Sequence, residues 1–561
     1  MPDDKDFIDD FIVEDIEENL SDIVSANIVH DKYQFESKFD FDLKPHGKET
    51  AKHYTIDLYF FIPKTMGINS DTYTRDHFYT DLTNYLRIQT PELFNWHKLP
   101  KAQQRLPVTD QYFKVHLIPH QRQKIAGAVV QEVKLFGCFI DTQLKKLQAI
   151  IARLIKRNKD SASWHPSVIE AIVNRINSIR DMLQTYREQY LTPIKNQAIM
   201  VDSEIRKPFF LVDEYNSYRL EIVFISLCQI LDSNSVTIPQ VKSVILDILA
   251  QESQYRTTMN IVNLDHDHGD KVRETYYYRL GLVKKYVLEV LYLQSKNIKK
   301  EHTYRNIIAG FGAALAAIWA GVIDIKRIQM IGNVDPRDVW TRLAAVLLIG
   351  VIAYVFKDRI KEISKEYFNQ KLKQYLPDFD IKMFYSYFNG DNEQTNYFVG
   401  SCKEFFRYLP KTAIPPEIAY LRDIGNRSDL DPVRDENIIH YSKKLDFVIG
   451  EQQSGLGQAH IIRDIARFDI SDFLAKLDNP KKSISYYDQA KGIVVMEAPK
   501  VYHINVVLRY ACNYRRDDGS AEENVEFERI RLILNKKGIS RIEEVLRRGA
   551  IKYSENTSWV S

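Results

Sequence analysis

Two runs near the middle of the chain, Ile307–Ile323 (IIAGFGAALAAIWAGVI) and Leu343–Phe356 (LAAVLLIGVIAYVF), carry no charged side chain. The rest of the sequence is hydrophilic, with 27% charged residues and a mean hydropathy of −0.33. Each run alone is short against the ~20 residues that a bilayer-spanning helix needs. Flanking residues extend them: Trp340 and Tyr354 suit the membrane interface, and Arg342 can reach outward along its stem. Ala309, Ala313, Ala317 and Gly321 recur at helical spacing in the first run, with Gly350 and Ala353 in the second to face them. Small residues let two membrane helices approach closely. The competing reading is a buried helix pair in a soluble core, and two neighbouring charge-free runs bracketed by basic residues count against it. A re-entrant hairpin is a further alternative, because both runs are short.

Charge sets the expected orientation. The outer flanks hold Lys296, Lys299, Lys300 and Arg305 before the first run, then Lys357, Arg359, Lys361, Lys365, Lys371 and Lys373 after the second. The short link holds fewer, Lys326, Arg327 and Arg337. The positive-inside bias places both long flanks and both termini in the cytoplasm, in a two-pass protein of the cell (inner) membrane. The expected partners are the lipid bilayer and anionic headgroups near Lys296, Lys299, Lys300, Arg305, Lys357 and Arg359. A protein partner or self-association is also expected.

Composition narrows the remaining classes. The chain of 561 residues has 77 basic and 75 acidic side chains, so no global charge draws it to nucleic acid, and none is expected as a partner. Its four cysteines, Cys138, Cys228, Cys402 and Cys512, are far apart and form no metal-binding or disulfide pattern. The first 20 residues are acidic where a secretory signal is basic and then apolar.

Periodicity divides the chain into an expected multidomain α+β membrane protein. Residues 1–29 read as an acidic, disordered tail, the alternative being a docking helix through Ile8, Ile12, Ile16, Leu20 and Ile23. Residues 30–118 read as a small α/β unit. HYTIDLYFFIP alternates as a strand, with Tyr54, Ile56, Leu58, Phe60 and Ile62 on one side, and Phe78, Leu82, Tyr85 and Leu86 fit one face of a helix. Residues 119–305 read as a helical bundle. Its coiled-coil hairpin pairs the series Val133, Phe136, Ile140, Leu144, Leu147, Ile151 and Leu154 with Ile169, Ile172, Ile176, Ile179, Leu183, Tyr186 and Tyr190. Further helices are expected at about 212–231, 240–258 and 270–305, the last running unbroken into the first apolar run. Residues 306–357 form the transmembrane hairpin, with helices at about 307–323 and 340–356. A juxtamembrane helix follows over 358–376. Residues 377–561 read as a β-rich cytoplasmic domain with an antiparallel sheet, whose clearest strand is VYHINVVLRYACNY (Val501–Tyr514) with one apolar and one polar face.

No motif names a reaction. GKET at 47–50 lacks the spacing of a phosphate loop, and GLG at 455–457 lacks a preceding strand and third glycine. GxSxG and HExxH are absent. Asp265, His266, Asp267 and His268 are the candidate metal ligands, since imidazole and carboxylate both suit Zn²⁺ or Mn²⁺; the alternative is a loop and helix cap. No cofactor is expected. The sequence therefore reads as a membrane-anchored protein for scaffolding, assembly or signal relay without catalysis of its own. The alternative is a membrane-tethered enzyme with a site assembled from distant C-terminal residues, with His440, His460 and Asp464 as catalytic candidates.

Overall fold

The computed structural model describes residues 23–43, 51–91, 94, 96, 99–114, 119–157, 164–196, 201–233, 238–264, 269–298, 301–331, 339–388, 393–424, 435–448, 461–479, 481–515 and 521–548. The chain mixes helix with antiparallel sheet, an α+β fold. The N-terminal part supplies strands β1 (Ile23–Val29), β2 (Gln34–Asp42) and β3 (Ala51–Pro63), helix α1 (Arg75–Asp81) and strand β4 (Leu82–Ile88). A helical part follows: α2 (Pro107–Lys114), α3 (Pro119–Arg157), α4 (Pro166–Tyr186), α5 (Ser203–Ser233), α6 (Pro239–Thr258) and α7 (Asp270–Leu288). Strand β5 (Gln294–Asn297) precedes two long helices, α8 (Glu301–Ile331) and α9 (Val339–Tyr375). The C-terminal part holds β6 (Phe379–Phe388), β7 (Gln394–Leu409), α10 (Pro416–Asp423), β8 (Glu436–Val448), β9 (Ile461–Asp469), β10 (Lys481–Asp488), β11 (Gly492–Pro499), β12 (Tyr502–Arg515), β13 (Ala521–Asn535) and β14 (Gly538–Leu546).

Two sheets face each other. The larger has the order β14-β13-β12-β3-β8-β7-β6-β5 and the smaller β1-β2-β9-β4. Strand β3 thus lies inside the C-terminal sheet, paired through Leu58 with Leu508 on one side and Tyr441 on the other. Residues 30–118 and 377–561, expected as separate units, share both sheets. Their apolar faces complete each other: Phe41 meets Tyr54 and Phe447, Phe39 meets Tyr510, and Phe35 meets Phe60 and Phe468. Neither segment has enough apolar partners without the other.

Several sequence expectations change for local reasons. Residues 23–29, assigned to the tail, form β1, where β-branched Ile23, Val24, Ile28 and Val29 pair with β2. The apolar positions Phe78, Leu82, Tyr85 and Leu86 span a helix-to-strand junction, because α1 stops at Asp81 and β4 pairs with β9. The helix expected over 270–305 ends at Leu288, and Gln294–Asn297 instead pair with β6. The polar face expected for β12 is only partly wet. Val507 and Ala511 are buried in a second, smaller core with Tyr59, Phe61, Ile418 and Leu421, because α10 lies over that part of the sheet.

The helices form a bundle rather than a coiled-coil hairpin. The expected seam residues of α3 from Val133 to Ile151 are buried, yet so is every residue from Glu132 to Asp141. A helix buried on all sides is central rather than one of a pair. Helix α3 packs chiefly along α5, with α2, α4 and α7 as further neighbours. Its start touches β6, where Gln131 binds Ser386 and Phe388.

Helices α8 and α9 project from this body. Among the described residues, one window is long and apolar enough to cross a membrane, Ala309–Lys326 in α8, of which 11% is buried. The two helices pack on each other, with Trp319 and Phe356 in ring contact at 6.4 Å. Gly312 and Ala316 are buried on α8, while Ala313, Ala317 and Gly321 are exposed. The small-residue stripe therefore lies one residue away from the expected register, whereas Gly350 and Ala353 are both partly covered on α9.

Candidate functional site

His440 and Asp464 lie on opposite sides of the larger sheet. Alternation along β8 turns His440, Ser442 and Lys444 outward and Tyr441, Lys443 and Leu445 inward. Outside, His440 stacks on Tyr59 at 4.4 Å and its Nε2 is 3.1 Å from Asp57 Oδ1. Arg509 donates to Asp57 Oδ2 at 3.2 Å. Burial alone would raise the Asp57 carboxyl; His440, Ser442 and Arg509 outweigh it and hold the group below its ordinary value. Among the described residues, His440, Asp57 and Arg509 form a polar cross-strand set.

Asp464 points from β9 into the space between the sheets, where Lys443 Nζ meets its Oδ2. The ammonium is also 3.8 Å from Glu404, which accepts from Asn84 at 3.1 Å. Side-chain exposure is 3% for Lys443, 0% for Asp464 and 5% for Glu404. Burial pushes the Glu404 carboxyl up despite Lys443. Burial would lower the Lys443 ammonium, but Asp464 and Glu404 hold it above its ordinary value. The adjoining cavity, of about 20 Å³, is walled by Phe35, Phe39, Phe60, Phe78 and Phe468. It has room for about one water and none for a substrate. Thus the two catalytic candidates that can be placed do not converge. His460, the metal candidates Asp265, His266, Asp267 and His268, and the loop at 455–457 lie outside the described residues. Among the described residues, no group of three His, Cys, Asp or Glu side chains is placed to hold a metal.

A larger cleft of about 290 Å³ opens between α4, α5 and α6. Its floor is Arg187, which donates to Asp213 at 2.6 Å and to both oxygens of Glu252 at 3.0 and 2.6 Å. The guanidinium lies 3.6 Å from the ring centre of Tyr255, whose hydroxyl donates to Asp213 at 2.7 Å. Burial would lower the Arg187 pKa and raise that of Glu252; their mutual pairing reverses both. Arg187 opens a π-helical turn, Arg187–Leu191, that continues α4. Pro193 lacks the N–H that would close the turn onto Gln189, so the ladder widens there. Arg180, Gln184, Glu188 and Gln251 line the mouth. In the floor one guanidinium bridges two carboxylates from neighbouring helices, which suits holding three helices in register more than acid–base chemistry.

The third feature joins α9 to the sheet. Asp378 sits between Tyr375, the last residue of α9, and β6. Its carboxylate accepts from Phe406 N at 2.6 Å, Arg407 Nη1 at 3.2 Å, Tyr79 Oη at 3.3 Å and Arg75 Nη1 at 3.5 Å. Its own N–H donates to Glu404 O at 2.7 Å, and Arg407 Nη2 donates to Leu376 O at 3.0 Å. One short link is thereby clamped to β7 and to α1. Sequence reasoning missed Asp378 and Arg187 alike. Asp378 has only a helix-ending Pro377 beside it as a signal, and the donors to its carboxylate lie 28 to 303 residues away. Comparison with known family models, curated proteins and solved structures finds no match to this chain.

Proposed function

We propose that this protein is a membrane-anchored scaffold or relay, without catalysis of its own, that couples a two-pass helical hairpin to a cytoplasmic body of bundle and paired sheets. The observation that carries this reading is the exposure of apolar side chains along the length of two adjoining helices. Ile307, Phe311, Ile318 and Val322 on α8 and Leu343, Leu347, Val351 and Val355 on α9 are all exposed. A soluble monomer rarely shows so large a contiguous apolar surface. The Asp378 clamp supports the relay part, because displacement of α9 bears directly on β6 and β7.

Membrane fractionation tests the anchor. The chain should stay with membranes through alkaline carbonate and leave them in detergent; release by carbonate alone refutes the reading. Ala317→Arg places a charge on the exposed side of α8 and should cost about 2.5–3.5 kcal/mol of insertion. Reporters test the two-pass arrangement: one active only outside the cytoplasm should signal from an insertion at Asn333 and stay silent at Ser561. The bundle cleft favours a second reading, a ligand-binding or catalytic site near Arg187. Bound small molecules recovered with the purified protein and lost in Arg187→Ala would support it.

A further inference from the structure

The hairpin β10–β11 is a two-stranded sheet of its own, joined to neither larger sheet. It carries apolar side chains on both faces. Ile484 and Tyr486 pair with Met496 and Val494 on one face, and Tyr487 and Ser485 with Ile493 and Val495 on the other. Tyr487 is 75% and Ile493 79% exposed. An isolated two-stranded ribbon is marginal in water, so such a surface needs a cover.

Strand topology says where the ribbon stands. Antiparallel pairing puts the start of β6, the end of β7, the start of β8, the end of β3 and the start of β12 at one end of the larger sheet. Helix α9 returns to the body at that end, before Phe379, and α8 leaves it there, after Asn297. The ribbon joins the sheet at the same end, through Tyr502. Its base is pinned there by Asp478, which pairs with Lys500 and accepts from Tyr502 Oη at 3.3 Å. Four strand spacings separate β12 from β6, about 19 Å. Strands of eight residues carry the tip ~27 Å from its base, while only ~9 Å of helix rise separates Glu301 from Ile307. The ribbon has the reach.

We propose that the β10–β11 ribbon is a second membrane contact, seated at headgroup depth in an anionic lipid surface beside the helical hairpin; this rests on the membrane reading above. Lipid covers both faces of a ribbon, where a docked protein covers one face or one edge. Tyr486 and Tyr487 suit the interface, and Lys482 and Lys491 suit anionic headgroups, whereas Lys481 and Lys500 are paired with Glu497 and Asp478. The polar turn at Asp488–Lys491 and the open backbone edges stop the ribbon short of the hydrocarbon.

The test uses the full chain in vesicles of phosphatidylcholine with or without phosphatidylglycerol. Cys228, the one cysteine not buried, is replaced by Ser. A polarity-sensitive dye is attached through Val495→Cys, through Ile318→Cys on α8, or through Val448→Cys at the opposite end of the sheet. A blue-shifted dye at 495, quenched several-fold by headgroup-proximal spin-labelled lipid and more strongly with phosphatidylglycerol, supports the proposal when 448 stays in water. Quenching at 318 with a water-like signal at 495 overturns the ribbon proposal and leaves the anchor intact. Loss of lipid quenching at 318 removes the anchor and the proposal together. A dye at 495 shielded from aqueous iodide yet blind to spin-labelled lipid means that protein covers the ribbon, and this also overturns the proposal.

Discussion

Lys443→Met tests whether Asp464 is a structural counter-charge. The substitution keeps an apolar side chain of similar length and removes the ammonium that meets Asp464 and faces Glu404. Glu404 is pushed up by burial, so it is the group better able to take a proton and go neutral. Asp464, wholly buried, loses its ion-pair partner, and its Oδ1 already has no hydrogen-bond partner. Removing one member of a buried pair costs about 3–5 kcal/mol. The two sheets and the bundle packed on them form a body larger than an ordinary domain, in which each kcal/mol moves Tm by roughly 1–2 °C, so a fall of at least about 3 °C is expected. Lys443→Met/Asp464→Leu should recover most of it, because a buried pair replaced by apolar groups is often neutral. Glu404→Gln should shift Tm little. The sign with pH follows from the raised ammonium: the pair's contribution is present below the unfolded lysine value of about 10.4 and lost only as pH rises through the folded one. Thermal unfolding in one fixed detergent, followed by near-ultraviolet circular dichroism, reads all three variants at neutral pH. A Lys443→Met protein within about 1 kcal/mol of the parent, or a double variant no better than the single, refutes the argument.

Asp57, held below its ordinary value, stabilises the fold above its unfolded pKa of about 3.9, and that contribution is lost as pH falls through the folded value. Asp57→Asn should therefore lower stability at neutral pH and flatten its decline between about pH 5 and 3 in acid titration. Gly400→Ala drives a methyl group into the backbone carbonyl of Asp446 on β8, which cannot swing aside, and should cost about 1–3 kcal/mol in thermal unfolding. Asp378→Ala removes the acceptor for the Phe406 N–H and should raise hydrogen exchange there and across the α9–β6 link, with the β12 core unchanged; uniform loss of protection would mean global destabilisation. Ile176→Asp buries a carboxylate in α4 and should unfold the bundle, costing several kcal/mol, while Asn174→Asp on the exposed face should be near silent.

Much of the fold is local enough to read from sequence. The alternation of Tyr54, Ile56, Leu58, Phe60 and Ile62 marks β3, and that of Ile504, Val506, Leu508, Tyr510 and Cys512 marks β12. What alternation leaves out is partnership. Leu58 and Leu508 are direct neighbours across 450 positions of sequence, with the whole bundle and helices α8 and α9 in between. A period of two cannot say which strand lies alongside. The α3 seam shows a related gap: Phe136 and Ile140 read as one stripe, while Leu135, Cys138 and Phe139, off that stripe, are buried as well. The sites were less legible still. Lys443, Asp464 and Glu404 each sit in an ordinary strand, and only the facing of two sheets makes them a cluster. His440 attracted interest as an imidazole near a glycine-rich loop, yet its side of β8 was fixed by its parity with Tyr441 and Leu445. That parity was visible in the sequence; that Asp464 stands on the facing sheet was not.

Helices α8 and α9 meet the body in different ways, and the difference gives the proposed relay a direction. Helix α8 follows a four-residue edge strand, β5, whose side chains are all exposed and which has one neighbour, β6. Little of the sheet opposes its movement, so α8 acts as a tether. Helix α9 is one 37-residue element ending at Tyr375, and the backbone of Asp378 is already bonded to Glu404. Any axial shift or tilt of α9 pulls on a carboxylate held by β7 and α1 together. Breaking those bonds takes the acceptor from the Phe406 N–H, which opposes movement of α9 without β6 and β7. The next strand inward, β8, carries Lys443 against Glu404, the residue whose carbonyl receives Asp378. Under the proposed relay, a displacement entering through α9 would reach the inter-sheet charge cluster across two strands, through Asp378, Glu404 and Lys443, and that cluster joins the larger sheet to the smaller one.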